Sequence, residues 1–331
     1  MDIEKNFIFA ATVLATLPVE QRTRAGLLLY WTIQKYTKTP MDLPDQVSVL
    51  KGRGLIVEDD TFALYKLEFI SYYRLANYWR PMEADKTTHQ FKPGSRFEDI
   101  IRLYDFDMAL RSLIFTSIQH IEIAFRSQII HCFSLPYGSF WFLDPSLFKN
   151  PSIYTRCLHS LSEEINRTKE EFIVEHFAKY DNPAYPPVWK SLEVASFGTL
   201  SKIYSNFSDN AVKKNVARAL GLPQHIFLES WMTSIAVLRN CCAHHARTWN
   251  RVFSIKPQLP SKLPNAWISG GTGSPSKLYP QLCCLQYLLN SIGVGVEFRK
   301  GLKALLAMYS NVDTNAMGFP KNWMSEPLWS N

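Results

Sequence analysis

The stretch FEDIIRLYDFDMALRSLIFTSIQHIEIAFRSQIIHCF, residues 97–133, decides the fold class of this chain. Large apolar side chains recur in it at spacings of three and four residues, at Leu103, Phe106, Leu110, Ile114, Ile118, Ile121, Phe125 and Ile129. That spacing places them on one continuous face of an α-helix. The pattern therefore predicts a long helix over residues 97–133.

A polar stripe borders this apolar face. Arg111, Glu122 and Arg126 project within about 60° of one another on a regular helix. Glu122 and Arg126 are four residues apart, the spacing at which a carboxylate and a guanidinium pair along a helix. One interpretation of the stripe is a structural salt bridge. The other is that these side chains brace or extend an active site.

The chain before this helix predicts a small mixed α/β lobe over residues 43–96. Short helices are expected from Pro44 to Gly52 and from Asp59 to Phe69. The aromatic-rich stretch 72–79 leads towards a hairpin near the turn signal Pro93-Gly94. These aromatic rings either belong to the core or stack on unpaired bases. Residues 1–42 are expected to form a helical extension.

Helical patterns also dominate after residue 133. Helices are expected over residues 153–180, 189–207 and 209–220, and another begins near His225. The uncharged run 278–296 is typical of a buried helix, because its Pro, Gly, Gln and Asn residues make it a poor membrane span. Strand signals are nearly absent after residue 96. The predicted fold class is therefore mainly α, with a helical bundle over residues 97–331.

The composition is that of a globular protein, with 47% hydrophobic and 20% charged residues in 331 positions. The net charge of +7 is unevenly distributed. Residues 1–210 hold 23 Lys/Arg against 25 Asp/Glu, whereas residues 211–331 hold 13 against 4. A basic C-terminal third indicates a polyanionic partner, nucleic acid before a membrane surface, unless the excess is simply solvated.

The cysteines indicate a reducing compartment. Six in 331 residues are too few for a disulfide scaffold, and the adjacent pairs Cys241-Cys242 and Cys283-Cys284 are typical of buried thiols. Acidic residues precede the apolar N-terminal segment, where a signal peptide has basic ones. We therefore expect a cytoplasmic protein with no membrane partner.

The candidate site is the run RNCCAHHARTWNR, residues 239–251. Upstream of it, the spacing of Leu228, Trp231, Ile235, Leu238 and Cys242 predicts the core face of the helix. Opposite that face, if the helix continues far enough, lies a polar stripe formed by Asn240, His244, Arg247 and Arg251. Arginine binds phosphate oxygens with two charge-assisted bonds, and histidine exchanges protons near neutral pH. The run contains no carboxylate, so it predicts a phosphodiester site.

The order Arg239-Asn240-x-x-x-His244 resembles the Arg-polar-x-x-x-His motif of the HEPN superfamily of ribonucleases. Other blocks resemble the Abi-like (abortive infection, AbiD/AbiF type) family of bacterial phage-defence proteins, over about residues 38–331. These blocks are 53–55, 72–75, 91–94, 104–111, 121–126, 197–198, 230–231, 242–245, 249–251, 317–320 and 327–329.

The resemblance implies a HEPN-type bundle that acts as a metal-independent endoribonuclease without a cofactor. In such an enzyme, His244 removes the 2′-OH proton or protonates the leaving 5′-oxygen. Arg239 stabilises charge on the phosphate, and Asn240 orients the phosphate or His244. We expect the remaining candidates to assist, as supporting residues (Glu122, Arg126, His245) or as RNA contacts (Arg111, Arg247, Arg251).

The resemblance also implies partners. It suggests a toxin-like effector of abortive infection that cuts an RNA substrate and is restrained by a small non-coding RNA. It further suggests a homodimer in which two motif helices face each other. A physical argument supports the dimer, because positions 239 and 244 lie about 140° apart on a regular helix. A groove between two such helices brings both groups to one substrate.

Two other histidines fit the same spacing rules. His245 falls within the tolerated spacing of the motif, but on a helical projection it lies towards the core, which favours His244. Arg126 and His131 form a second Arg-x4-His by chance, since their helix resembles the family's Glu-x3-Arg helix instead.

Three rival interpretations remain. Cys241, Cys242, His244 and His245 are possible zinc ligands, although adjacent cysteines depart from the Cys-x2-Cys spacing of structural zinc sites. The second alternative is a non-catalytic RNA-binding or interaction protein of the HEPN type. The third is a structural role, in which His244 merely packs or caps the helix.

Overall fold

One long helix organises the chain, and its sequence explains where it begins and ends. The computed structural model describes residues 37–330. Helix Phe97–Tyr137 carries Glu98 and Asp99 in its first turn, where acidic side chains favour the positive end of the helix dipole. It stops at Gly138, whose φ of 80° suits glycine. All eight apolar positions predicted for its core face are buried, which confirms the helix predicted over residues 97–133.

The segment before the long helix contains three helices and a hairpin. The helices are α1 (Leu43–Gly52), α2 (Asp60–Ile70) and α3 (Tyr72–Trp79). Two short antiparallel strands follow, β1 (Glu83–Asp85) and β2 (Gln90–Phe91), with Glu83 opposite Phe91. The hairpin turn therefore lies between residues 85 and 90. Pro93-Gly94 forms a turn as predicted, with Ser95 N–H bonded to the Lys92 carbonyl at 3.1 Å, but this turn follows β2 and does not join the two strands. The long helix is α4 (Phe97–Tyr137).

Eight further helices follow α4 in the described residues. They are α5 (Pro151–Arg167), α6 (Glu171–Lys179), α7 (Val188–Ser191), α8 (Phe197–Asn206), α9 (Asn210–Ala219), α10 (His225–Ala243), α11 (Leu278–Ser291) and α12 (Gly295–Met308). The single helix predicted over residues 189–207 is wrong. The chain leaves the helix after Ser191 and re-enters it at Phe197, where Ser196 caps the new N-terminus by accepting a bond from Thr199 N–H.

The core forms where other helices pack around α4. Helices α3, α9, α10, α11 and α12 all contact it, and α10 also contacts α8, α9 and α11. Aromatic rings fill the α4–α8 contact, with Phe125 and Tyr204 centroids 5.2 Å apart. The fold is mainly α, as predicted. This packing holds the motif helix α10 against the middle of the bundle.

A long irregular segment connects α10 with α11 and packs back on the bundle. Trp267 stacks on Trp231 with ring centroids 5.5 Å apart. Glu326, near the C-terminus, accepts bonds from the N–H groups of Ser269 and Gly270. Within residues 37–330 no helix combines the length and apolarity needed to cross a bilayer.

The predicted domain boundaries stay predictions. Residues 49–330 group as one compact unit. The prediction of a helical extension over residues 1–42 concerns mostly positions 1–36, which lie outside the described residues.

Candidate active site

Helix α10 presents its predicted apolar face to the core and ends earlier than the polar stripe requires. Leu228, Trp231, Ile235, Leu238 and Cys242 are all buried. The helix stops at Ala243, however, with His244 at the C-cap position. The predicted continuation of one helical stripe from Asn240 through Arg251 is therefore wrong.

A Schellman motif causes this early stop. The N–H of Ala246 donates to the carbonyl of Cys241 at 2.9 Å, and the N–H of His245 donates to that of Cys242 at 3.1 Å. The motif needs a left-handed residue after the C-cap, and His245 takes that position with a φ of 55°. Glycine usually occupies it, since a side chain there costs about 1–2 kcal/mol. The chain consequently turns away from the helix axis directly after His244.

The turn exposes both candidate histidines. His244 and His245 are solvent-exposed, and the N–H of His244 still bonds to the carbonyl of Asn240 at 3.0 Å. The helical projection that places His245 towards the core fails, because the helix has ended before either residue. Both histidines fit the motif spacing, so the preference for His244 loses its support from the projection and stays a prediction.

Arg239 lies at the wall of a pocket between α10 and α4. Its guanidinium sits over the Phe115 ring, 5.6 Å from the centroid, and its Nη1 reaches the Asn240 side-chain oxygen at 3.4 Å. The pocket measures about 310 Å³, and Glu122 and Arg126 also line it. The structure thus brings three predicted site residues to one pocket, although Arg239 is 113 positions beyond Arg126 in the chain.

Glu122 and Arg126 form the ion pair that their spacing predicts. Arg126 Nη2 lies 3.2 Å from Glu122 Oε1 and donates to the carbonyl of Ala195 at 3.0 Å. The Nη1 atom approaches Glu193 at 3.8 Å. Both side chains are mostly buried: that of Arg126 is 12% exposed and that of Glu122 is 17% exposed. Arg126 therefore ties the pocket wall to the chain entering α8.

Arg111 does not share this pocket. It is 5% exposed and donates to Asp107 and to the hydroxyl of Tyr78. Burial lowers its pKa, but the Asp107 carboxylate and Tyr78 more than reverse that effect. The expectation that Arg111 contacts RNA is therefore wrong, because its guanidinium is buried and already paired.

Asp107 is the residue that holds the turn after the motif, and sequence reasoning assigned it no role. Its carboxylate accepts bonds from the N–H of Thr248 at 3.1 Å and of Trp249 at 2.7 Å, and from the Thr248 hydroxyl. Tyr78 donates to it at 2.7 Å. The i,i+4 spacing of Asp107 and Arg111 was a visible signal for an ion pair. Nothing in the sequence pointed from Asp107 to Thr248.

Two arginines, one on α3 and one after the turn, form hydrogen bonds that join α3 to the same turn. Arg74 donates to the carbonyl of His245 at 2.8 Å, and Arg247 donates to the carbonyl of Asn77. Burial lowers the pKa of Arg247. Because these bonds join α3 to both sides of the turn, they fix the backbone that carries the two histidines.

Arg247 and Arg251 therefore do not lie on the helical stripe that was predicted to carry them. Arg247 is partly buried in its contact with α3, whereas Arg251 lies over the Phe253 ring at 5.6 Å and donates to the Arg247 carbonyl at 3.4 Å. Neither lies on α10. Their role as RNA contacts stays a prediction, and for Arg247 it would require the bond to Asn77 to be given up.

The cysteines beside the motif are buried thiols. Burial raises the pKa of Cys241 and raises that of Cys242 to about 12. The Cys241 sulfur faces the carbonyls of Ala246 and Arg247 at 3.7 and 3.8 Å. Between residues 37 and 330 no three His, Cys, Asp or Glu side chains group as metal ligands would. The zinc interpretation therefore finds no ligand set there.

The aromatic stretch on α3 is divided between core and surface. Tyr78 and Trp79 are buried, whereas Tyr73 is exposed. Stacking on bases is thus open only to the outer rings of this helix.

Comparisons with known proteins place the chain in a family. No curated protein and no solved structure matches it. A family model described as Abi-like protein matches residues 65–250. The match covers more than half of the chain and includes Asp107, Glu122, Arg126, Arg239 and His244. The chain therefore belongs to the Abi-like protein family.

Proposed function

We propose that the chain is a metal-independent endoribonuclease of the HEPN type that acts in phage defence by abortive infection. Family membership associates the chain with abortive infection. The observation that carries the nuclease proposal is the end of α10, where Arg239 lines a pocket with Glu122 and Arg126 and where His244 stands exposed at the C-cap.

The chemistry needs only groups that the chain provides. The 2′-oxygen of a ribose attacks the adjacent phosphorus while the bond to the 5′-oxygen breaks. His244 takes the 2′-OH proton or gives a proton to the leaving 5′-oxygen. Arg239 stabilises the negative charge that builds on the phosphate, and Asn240, exposed beside it, orients the phosphate or His244. The products are a 2′,3′-cyclic phosphate and a 5′-OH.

A second copy of the chain completes this site. One imidazole cannot act as base and acid in the same displacement, so the step needs another proton donor near the 5′-oxygen. Two α10 ends that face each other supply a second His244 and a second Arg239, so the base and the acid of one displacement can be the motif histidines of different copies. We propose a homodimer on this ground.

RNA is the polyanion that best fits the charge distribution. Residues 211–256 hold seven Lys/Arg and one acid, so most of the C-terminal excess surrounds the motif. A structured small RNA that restrains the enzyme would be attracted by the same basic residues, and its binding would weaken as the salt concentration rises. We expect cleavage in the cytoplasm.

A non-catalytic RNA-binding protein is the alternative. It shares the charge distribution and the pocket but assigns no proton transfer to His244. The two possibilities differ in whether RNA is cut, since both predict that it is bound.

The test is cleavage of total RNA by the purified protein in the presence of EDTA. We expect His244→Ala and Arg239→Ala each to lower the rate by about 100-fold or more. His131→Ala is the matched control, because His131 is exposed and also follows an arginine by five positions, Arg126. Cleavage that survives both site substitutions overturns the assignment, and binding without cleavage by the wild type favours the alternative.

A further inference from the structure

A basic groove lies between α5 and α8, apart from the pocket at Arg239. Hydrogen bonds fasten the two helices at both ends. Asn150 N–H donates to Asn206 Oδ1 at 2.9 Å, and Ser196 N–H donates to Glu164 Oε2 at 3.0 Å. These contacts join the start of α5 to the end of α8 and the end of α5 to the start of α8. The helices are therefore antiparallel and held at fixed spacing along the groove.

Cations and hydroxyl groups line this groove of about 350 Å³. The cationic or titratable side chains are Arg156, His159 and Lys202, and the hydroxyl groups are those of Ser160, Thr199 and Ser205. None of the residues that line it is an acid. One lining residue contacts a carboxylate outside the lining, since exposed Glu163 lies 3.4 Å from His159 Nε2.

The guanidinium of Arg156 and the ammonium of Lys202 are available to a ligand. Arg156 and Lys202 are exposed, and neither is in an ion pair with a carboxylate within residues 37–330. Only Nε of Arg156 is used locally, in a bond to the Ser152 carbonyl at 3.3 Å. Both charges also act on the Cys157 thiol in the groove: burial raises its pKa, and Lys202 and Arg156 oppose that rise. Arg156 on α5 and Lys202 on α8 thus line the same groove from opposite helices.

We propose that this groove binds the phosphodiester backbone of RNA. Phosphate oxygens accept bonds from guanidinium, ammonium and hydroxyl donors alike, and these are the donors present. The groove is cationic although residues 1–210 carry a net charge of −2, so a general excess of basic residues does not explain it. Its lining residues extend about two turns along each helix, roughly 10 Å, which suits successive phosphates of a strand more than a single small anion.

The position of the groove relates it to the candidate active site. Helix α8 separates the groove from α10, and the hydroxyls of Ser201 on α8 and Thr233 on α10 are 3.5 Å apart. An RNA strand held on α5 and α8 is thus one helix away from the motif helix. The identification of the ligand as RNA rests on the proposed function, whereas the inference that the groove binds phosphate groups rests on the groove alone.

The test measures binding of a fluorescent single-stranded RNA by anisotropy, in a His244→Ala background that leaves the RNA uncut. The groove variant is Arg156→Gln with Lys202→Gln. The matched control is Arg167→Gln with Lys169→Gln, two exposed residues beyond Glu164 that remove the same charge. We expect the groove variant to weaken binding about tenfold and to reduce the salt slope by about 1.4, the value for two phosphate contacts on a single strand.

Each outcome decides the proposal. Loss of affinity in the groove variant with less than about twofold change in the control supports it. Equal losses in both variants, or no loss in the groove variant, overturn it, since the groove then contributes nothing beyond net charge. If inorganic phosphate displaces the RNA only from protein with an intact groove, the phosphate chemistry is supported even where the wild type cuts no RNA. That result separates this proposal from the proposed function.

Discussion

Asp107 and Thr248 are 141 positions apart in the chain, yet the N–H of Thr248 lies 3.1 Å from a carboxylate oxygen of Asp107. The same carboxylate binds Trp249 N–H, Tyr78 and Arg111. It is completely buried, so its charge is compensated only by these donors. Asp107 therefore connects the first third of the long helix to the turn that carries His244 and His245.

Asp107→Asn should destabilise the protein and disorder that turn. The substitution leaves the buried Arg111 guanidinium without its counter-charge, which costs about 3 kcal/mol in the free energy of unfolding. Urea denaturation followed by circular dichroism measures the loss. Asp105→Asn on the same helix is the control and should change the free energy by less than about 0.5 kcal/mol. A loss below about 1 kcal/mol at Asp107 would show that the turn does not depend on the ion pair.

Alanine substitutions at Arg111 and at Arg239 should differ in their effects on stability and on RNA cleavage. Arg111→Ala removes one partner of a buried pair, so we expect a loss of about 3 kcal/mol in stability. Arg239 is partly exposed at a pocket wall, and Arg239→Ala should leave the melting temperature nearly unchanged while cleavage is lost. Thermal melts and RNA cleavage on the same preparations give both values. Preserved stability in the Arg111 variant together with weaker RNA binding would restore its predicted role as an RNA contact.

His245 can be removed without disturbing the turn. Its φ of 55° is one that glycine adopts freely, so His245→Gly should be at least as stable as the wild type. The alanine variant should be about 1 kcal/mol less stable than the glycine variant. If His244 is the catalytic histidine, His245→Gly cuts RNA at near the wild-type rate. A glycine variant that folds and is inactive would transfer the catalytic role to His245.

Helix α9 contains a buried lysine, Lys213, whose contact with Glu229 at the start of α10 makes stability depend on pH. Burial lowers the pKa of Lys213 from 10.5 to about 8, and Lys149 also lowers it, whereas Glu229, 2.7 Å away, opposes the shift. His225 also faces Glu229, at 3.8 Å. Because the folded-state pKa is the lower one, the unfolded chain binds more protons between pH 8 and 10.5. The contribution of Lys213 to stability therefore rises with pH across that window.

The measurement compares the wild type with Lys213→Met by urea unfolding at pH 7 and pH 10. The buried tyrosines and cysteines, whose own titration opposes this trend, are common to both proteins and cancel in the difference. We expect the stability of the wild type relative to the variant to increase from pH 7 to pH 10. A difference that stays constant would mean that Lys213 keeps its ordinary pKa in the folded chain, and a difference that falls would mean that its folded-state pKa is raised; either result contradicts the prediction.

The sequence predicts well those features that depend on local periodicity. The core face of α4, the core face of α10 and the Glu122–Arg126 pair all follow from spacings of three and four residues, and all are present. Helix ends are harder to predict. No glycine or proline marks the stop after Ala243, because His245 occupies the left-handed position that glycine usually takes.

Long-range contacts are the part that the sequence does not reveal. Arg111 follows the polar stripe of α4 on a projection, but the approach of Tyr78 from α3 and of Thr248 from the turn encloses it with Asp107. Helical projection describes one helix and contains no information about which segment covers it. The pocket that joins Arg239 to Glu122 and Arg126 likewise depends on how α4 and α10 pack.

The chemistry of the cleaved ends tests the central claim most directly. Purified protein in EDTA would be given an RNA oligonucleotide and the same oligonucleotide with a single 2′-deoxy residue at the cleavage position. We predict 2′,3′-cyclic phosphate and 5′-OH ends from the first and no cut at the modified position of the second. Ends with a 5′-phosphate, cleavage that continues at the deoxy position, or activity that disappears with EDTA would contradict attack by the 2′-OH under the control of His244 and Arg239.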